Sequence, residues 1–558
     1  MNLKDKFMPE KDLQKDILEL KAQIKHLKKN NLGIVFEEKP EDIVEQCKKN
    51  VPVLRGVKKR RIVKNDSLPT NLLIEGDNYH AVSVLNYTHK KSVDVIYIDP
   101  PYNTGASDWK YNNDYVDEND AYRHSKWLSM MNNRIKIAKG LLKDDGVLIV
   151  TIDKHENATL LMLLAKLFPM HDITTVVVEH NPKGLPSRNF SDSHEYAHFV
   201  IPKGLSVVGK NPETKEDTRN LRRAGRASYR SERPTMFYPI YIKDGRVVRI
   251  GEVPKDSFHP KKRSSVLDSG EIEVWPIDDS GKERRWHFGL DSITDHIDRI
   301  KIKEKKGDFQ LYVTAVPARY KTVWTGGDLD AGKYGTTLVK NMIGAEFPFP
   351  KSLFATARCL ETIIYKRKDA LVLDFFAGSG TTGHAVLLMN ERHGSNHRFI
   401  LCTNNENQIA EEITYPRIKK VIKGYSNVKG IPANLSYYKT DLVDIEHLHK
   451  ISDDAKVKIT YQAGEMIAVR EDTLNEVEKN EWWQIFEGRG RITAIYFKED
   501  KAKLAELIAK LEKKDLPVAL YIFSWGKNEY KGEYSSANIR VEDIPEPILE
   551  VYKELNRL

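Results

Sequence analysis

Cysteine is scarce in this chain of 558 residues: three occur, Cys47, Cys359 and Cys402, far apart and with no CxxC pair. Neither a disulfide framework nor a thiolate zinc site can be built from them, and a reducing cytoplasm is the expected compartment. Long apolar runs are missing too. The greasiest, Leu160 to Phe168, is broken by Lys166 and falls short of the ~18 residues that a membrane span needs, so no membrane association is expected. Lys4, Asp5 and Lys6 stand at the N-terminus with no apolar stretch of the secretory type behind them. No GxxxxGKS or GxxxxGKT phosphate loop is present, and helicase or nuclease work is expected only from another chain. His194-Glu195 and His171-Asp172 are isolated pairs in polar loops, the setting of ordinary surface residues, and no metal site is expected from them.

What is present is a soluble composition, with 40% hydrophobic and 30% charged residues and a mean hydropathy of -0.53. The length fits about two to four domains. The formal charge of +9 is unevenly spread: Lys215 to Arg263 holds fourteen basic and six acidic residues, a net +8. Arginine dominates there, with Tyr229, Phe237, Tyr238 and Tyr241 interleaved, the mix expected where phosphates are clamped and base edges read. A solvated charged face is the alternative. Arg222, Arg223, Arg226, Arg230 and Arg233 are the candidate nucleic-acid contacts. Lys58 to Arg61 reads as a basic linker.

Leu13, Ile17, Leu20, Ile24 and Leu27 form a two-heptad apolar seam, predicting a helix that docks on the protein body or serves a homodimer. From Leu72 strands and helices alternate: strands at 72–75, 93–98 and 147–152, and helices at about 79–85 and 125–142. The pattern fails between about Pro182 and Phe347. It resumes with a helix near 356–365, the strand 371–375, a helix after Gly383 and the strand 399–403. An α/β parallel sheet interrupted by a basic insert is the expected architecture. Beyond about residue 445 a further small unit is predicted, with strands at 456–461, 492–497 and 518–524 and a helix at 501–513. Trp482 and Trp483 are expected to pack its core.

Two motifs carry chemistry. Asp99-Pro100-Pro101-Tyr102 follows a buried strand, and in an open α/β sheet the ends of such strands face the ligand. Two prolines remove two donors and stiffen the turn, leaving an array of acceptors. Asp99 and the Pro100 carbonyl are placed to hold both hydrogens of an exocyclic amine while Tyr102 stacks on its ring. The second motif runs from Asp374 through Phe376, Ala377, Gly378, Ser379, Gly380, Thr381 and Thr382 to Gly383, again between strand and helix. Its glycines let the backbone approach a nucleotide-like cofactor at a helix N-terminus. The GxGxxG match alone is weak, since the acid expected about 20 residues on is not cleanly present; Glu406 stands nearest.

These motifs resemble the catalytic and S-adenosylmethionine-binding motifs of amino-group DNA methyltransferases. Their order, catalytic motif first, resembles the β class of adenine-N6 enzymes. The stretches Leu73 to Asn78, Asp99 to Gly105 and Tyr122 to Leu128 are similar to the modification subunit of type III restriction-modification systems. The resemblance implies a Rossmann-like S-adenosylmethionine-dependent methyltransferase sheet with an inserted target-recognition domain and a small C-terminal α/β domain. The expected division is an N-terminal helical arm (1–65), the catalytic half of the core (66–185), the target-recognition domain (186–345), the cofactor half (346–440) and a C-terminal domain (441–558). It further implies that Asp99, Pro100 and Tyr102 bind a flipped adenine, that Phe376, Gly378, Gly380 and Thr381 line the cofactor, and that Asp77 lies near the cofactor's adenine. Asp374 and Glu406 are secondary cofactor candidates. Phe347 to Lys351 resembles the segment closing over the methionine end, with core packing the alternative for Phe347 and Phe349. Duplex DNA and a restriction subunit carrying helicase and nuclease are the implied partners. Two rivals are cytosine-N4 methylation and, from another class, an NAD-dependent oxidoreductase.

Overall fold

The computed structural model describes residues 37–184, 189–210, 218–305, 307–314, 319–446, 451–526 and 538–557, with residues 21, 448, 530, 533 and 534. The heptad helix expected at Leu13 to Leu27 lies outside the described residues. The chain forms two compact units, Met1–Gly209 with Lys321–Leu558, and Lys210–Tyr320. No helix among the described residues is long and apolar enough to cross a membrane.

A ten-stranded sheet organises the larger unit. Its strands are β1 (Asn50–Gly56), β2 (Thr70–Glu75), β3 (Val93–Ile98), β4 (Leu142–Ile152), β5 (His171–Val178), β6 (Glu195–Pro202), β7 (Val323–Trp324), β8 (Leu371–Asp374), β9 (Arg398–Thr403) and β10 (Asn434–Asp444). Their spatial order is β1-β10-β2-β9-β8-β3-β4-β6-β5-β7. The six strands from β10 to β4 run parallel, and β6 is antiparallel to both its neighbours. Every residue of β3 is buried, as expected of a largely apolar strand covered on both faces; its one charge, Asp94, is met by Lys143 at 2.9 Å and by Arg367.

Chain direction within the sheet fixes where a ligand can sit. From β3 the chain passes through α2 (Arg123–Ala138) to β4 on one side; from β8 it passes through α4 (Thr381–His393) to β9 on the other. β3 and β8 are neighbours, pairing Val95 with Val372 and Ile96 with Leu373. The crevice beyond their carboxyl ends is therefore the topological switch point of the sheet. The remaining helices that bear on it are α1 (Asn78–Thr88), α3 (Leu353–Ile364) and α5 (Tyr415–Lys423).

Two expectations are corrected by the sheet. The predicted insert of 186–345 is too wide, because β6 and β7 belong to the central sheet and the second unit spans Lys210–Tyr320. The predicted strand at 456–461 is part of a helix, Asp453–Gln462. Val457, Ile459 and Tyr461 alternate as a strand would, but Ser452 caps Ala455 N and the buried residues Ala455 and Ile459 are one helical turn apart. The C-terminal sheet runs in the order Asn475–Lys479, Trp483–Gly488, Arg491–Tyr496, Val518–Phe523 and Ile539–Ile544. Trp483 is buried in the core between that sheet and the helix Lys501–Glu512, with Trp482 packed against it.

The smaller unit is built of short antiparallel strands around Leu221, Tyr238, Trp286, Leu311 and Val313. Much of its arginine is structural. Arg230 is 7% exposed, donates to the carbonyls of Phe258 and Lys255 and pairs with Glu283 at 3.1 Å. Its place among the nucleic-acid contacts is therefore corrected. The interleaved aromatics are used internally as well: Phe237 and Tyr238 are buried, while Arg249 lies over Tyr241 and Arg284 over Tyr229. Arg222 is half-buried, whereas Arg223, Arg226 and Arg233 are exposed.

Candidate active site

Asp99 leaves β3 at the switch point and its turn is locked from behind. Trp127 of α2, fully buried, donates its indole N–H to the Pro101 carbonyl at 2.7 Å. Asn103 follows in a left-handed conformation with φ 56°; its buried amide donates to Glu156 and accepts from Trp109. No protein donor among the described residues reaches the Pro100 carbonyl.

Three donors converge on one oxygen of Asp99. Thr151 of β4 reaches Oδ1 at 2.7 Å, Tyr102 OH at 2.8 Å and Lys351 Nζ at 3.1 Å. Oδ2 has no protein partner among the described residues, and the side chain is 24% exposed. Among the described residues, then, two acceptors on the turn, Asp99 Oδ2 and the Pro100 carbonyl, have no protein partner. Tyr102 OH also donates to Glu195 at 3.1 Å, and Lys351 bonds Glu195 at 2.8 Å as well as the Tyr102 hydroxyl.

Burial pushes the Asp99 carboxyl above its ordinary value; Lys351 opposes the rise and Glu195 adds to it. For Lys351 burial acts downward, but Asp99 and Glu195 outweigh it and hold the ammonium charged. The Tyr102 phenol is driven well up by burial and by the two carboxylates.

The second motif lies beside the first. Asp374 is 2% exposed; it accepts from Phe376 N at 2.9 Å and Thr382 Oγ1 at 2.5 Å. Burial first, relieved in part by these bonds, pushes its carboxyl up to about 7. Asp374 thus holds the turn that carries the glycines. Gly378 and Gly380 take φ of 47° and 79°. A Cβ on Gly378 would lie 3.3 Å from the Phe347 ring, and one on Gly380 would lie 3.1 Å from Thr414. The side chains of Ala377, Ser379, Thr381 and Thr382 are buried, so what they present to the crevice is backbone. Ser379 and Thr381 accept from Arg417 of α5 at 2.9 and 2.8 Å. Phe376 and Phe347 stay half-buried, while Phe349 is 91% exposed and does not pack the core.

Asp77 ends β2 and caps α1, its Oδ1 accepting from Tyr79 N at 2.7 Å; its Oδ2 has no protein partner among the described residues. The next residue, Asn78, donates to the Phe375 carbonyl at 3.0 Å, which ties this strand end to the glycine turn. Glu406 is paired with Lys110 at 2.5 Å. No group of three or more His, Cys, Asp or Glu among the described residues is placed to hold a metal ion.

Sequence reasoning missed Glu195. It is the first residue of β6 and 3% exposed, not a surface residue. The signal lay in Glu195–Pro202, an apolar run rich enough for a strand. Trp127 lies within the Tyr122 to Leu128 stretch and Thr151 within the predicted strand 147–152, but neither is marked there as a support of Asp99's turn.

With the two motifs at neighbouring strand ends, the comparisons with known proteins fall into place. The sequence profile of the DNA methylase family matches residues 93–415. The chain belongs to that family. The type III restriction-modification enzyme EcoPI Mod subunit of Escherichia phage P1 is 28% identical over 436 residues, 67% of this chain and 65% of that protein. The type II methyltransferase M.KpnI of Klebsiella pneumoniae is 28% identical over 403 residues, 68% of this chain and 90% of its own. A third relative, the StyLTI Mod subunit of Salmonella typhimurium, is 28% identical over 386 residues, 63% of this chain and 55% of its own length. The match thus spans less than two thirds of each of these two Mod subunits.

Proposed function

We propose that this DNA methylase transfers a methyl group from S-adenosylmethionine to adenine N6 at specific sites in duplex DNA, as the modification subunit of a restriction-modification system. The observation that carries the reading is the pair of open acceptors, Asp99 Oδ2 and the Pro100 carbonyl, on a locked turn beside a glycine turn at the switch point.

The cofactor fits the residues present. Gly378 leaves space in front of Phe347 that a Cβ would fill, Phe376 offers an apolar edge, and Asp77 Oδ2 is an open acceptor at the adjoining strand end. Bound there, S-adenosylmethionine supplies a methyl already activated by its sulfonium. The chain's own residues do the rest. Asp99 Oδ2 and the Pro100 carbonyl each accept one amine hydrogen, which favours a pyramidal nitrogen whose lone pair is aimed at the methyl. As the C–N bond forms and the C–S bond breaks, the Asp99 charge offsets the positive charge growing on nitrogen. The amine proton held by Asp99 Oδ2 would then pass to solvent, and the thioether S-adenosylhomocysteine would be the other product. Tyr102, its hydroxyl fixed by Asp99, Glu195 and Lys351, holds a rigid ring for stacking. The amine is inaccessible inside a duplex, so the base is flipped out.

The test is transfer of tritium from methyl-labelled S-adenosylmethionine to unmethylated duplex DNA of high sequence complexity, followed by nucleoside analysis. N6-methyl-2′-deoxyadenosine is expected. Label in N4-methyl-2′-deoxycytidine would reassign the base, and no transfer together with binding of NAD would overturn the reading.

A further inference from the structure

The methyltransferase reading explains Asp99, Pro100 and Tyr102 but leaves two charges unexplained. Glu195 is buried and Lys351 half-buried, they come from elements far apart in the chain, and both contact Tyr102 of the turn. We propose that the Glu195–Lys351 ion pair is a positioning device that keeps Asp99 anionic and turns its free oxygen to the substrate amine. The inference rests on that reading.

Geometry supplies the orientation. Thr151, Tyr102 and Lys351 all meet Oδ1, so the planar carboxylate cannot rotate without giving up three donors, and Oδ2 is held where the substrate arrives. Lys351 cannot itself accept a hydrogen bond, which makes this polarity one-way. Glu195 in turn fixes Lys351 through its 2.8 Å bond and receives the second contact of the Tyr102 hydroxyl. Glu195 and Lys351 therefore act on the substrate only through Asp99 and Tyr102.

Charge supplies the second part. Asp99 and Glu195 meet around one tyrosine hydroxyl, and Lys351 is the cation between them. The other titratable groups facing this cluster are Tyr97 of β3, Cys359 of α3, Asp374 at the end of β8 and His180 after β5. Burial holds His180 toward its neutral form and Cys359 in its thiol form, so neither replaces the ammonium. Without Lys351 nothing balances the burial and the Glu195 charge that push the Asp99 carboxyl up, and an Asp99 that takes a proton becomes a donor facing a donor. Without Glu195 the ammonium serves Asp99 alone and holds it ionised to lower pH.

These statements give shifts of opposite sign. The assay is the single-turnover rate of methyl transfer to unmethylated duplex DNA against pH, with isothermal titration of S-adenosylmethionine as the control for folding. In Lys351→Met the acidic limb should move up by about one pH unit or more, in Glu195→Gln it should move down, and in the double variant it should fall between them. A merely structural role would lower the rates without moving the limbs apart. If the wild-type protein transfers methyl and the limbs of both single variants coincide with its own, the inference is overturned while the functional reading stands. No transfer by the wild-type protein overturns both. Should Lys351→Met lose cofactor binding, Glu195→Gln decides alone: a downward shift supports the inference and an unmoved limb refutes it.

Discussion

Asp99→Asn is the sharpest perturbation of this site, because it preserves shape and removes charge. Three donors meet Asp99 Oδ1, and one of them is the Lys351 ammonium. The new side chain must put its amide oxygen there, and its NH2 then occupies the place of Oδ2, facing the substrate amine donor to donor. Losing one charge-assisted hydrogen bond costs about 1.5–3 kcal/mol, or ~10- to 150-fold in rate at about 1.4 kcal/mol per decade. The donor clash adds to that, so a single-turnover rate lower by at least ~10²-fold is expected. Asp99→Ala removes the acceptor without introducing a donor, so its rate should also fall steeply but be no lower than that of Asp99→Asn. Cofactor affinity should be unchanged in both, since Asp77, Phe376 and Gly378 are untouched. An Asp99→Asn protein within about threefold of wild type would falsify the acceptor argument; a matching loss of cofactor affinity would show that the turn itself had moved.

Gly380→Asp should weaken S-adenosylmethionine binding more than tenfold, because φ of 79° disfavours any side chain and a Cβ would lie 3.1 Å from Thr414; unchanged affinity by isothermal titration would reject the cofactor assignment. The Asp374 carboxyl is pushed up to about 7 from 3.8, chiefly by burial, so the folded state binds the extra proton between those values. Stability should therefore fall as pH rises from about 4 to 7 and level off above it, and Asp374→Asn should flatten that slope in thermal melts. In the smaller unit, replacing Arg223, Arg226 and Arg233 together by Ala should lower the slope of log K against log salt by up to about three units, on specific and random duplexes alike. A slope equal to the parent's would leave these arginines as a solvated face. Arg230→Ala should instead lower the melting temperature, since it removes a buried guanidinium that holds the Phe258 and Lys255 carbonyls and Glu283.

Legibility followed locality. β3, β8 and the turns after them could be read because each is announced by its own residues: a β-branched run, then prolines or glycines. Asp99 and Gly378 were legible for the same reason. Glu195 and Lys351 were not, because what makes them part of the site is a meeting of β6 with the segment before α3, and neither segment carries a mark of the other. Arg230 misled in the opposite direction. An arginine among aromatics looks the same in sequence whether it faces phosphate or, as here, the Phe237 ring and the half-buried Glu283. The helix at Asp453–Gln462 shows a local conflict, in which the Ser452 cap and the Ala455 to Ile459 spacing outweigh a two-residue alternation.

The neighbouring of β3 and β8 has a consequence for how the chain must fold. Val95 pairs with Val372, so the centre of the sheet cannot close until the entire intervening stretch, including the Lys210–Tyr320 unit, has been synthesised. Until then β3 pairs with β4 on one side and has an unpaired edge on the other, apolar but for Asp94, a template for pairing with another nascent chain. A long loop closure of this kind is slow. A ribosome-bound chain halted before Leu371 should accordingly be held soluble only by a chaperone that covers β3, and should release from it once β8 emerges.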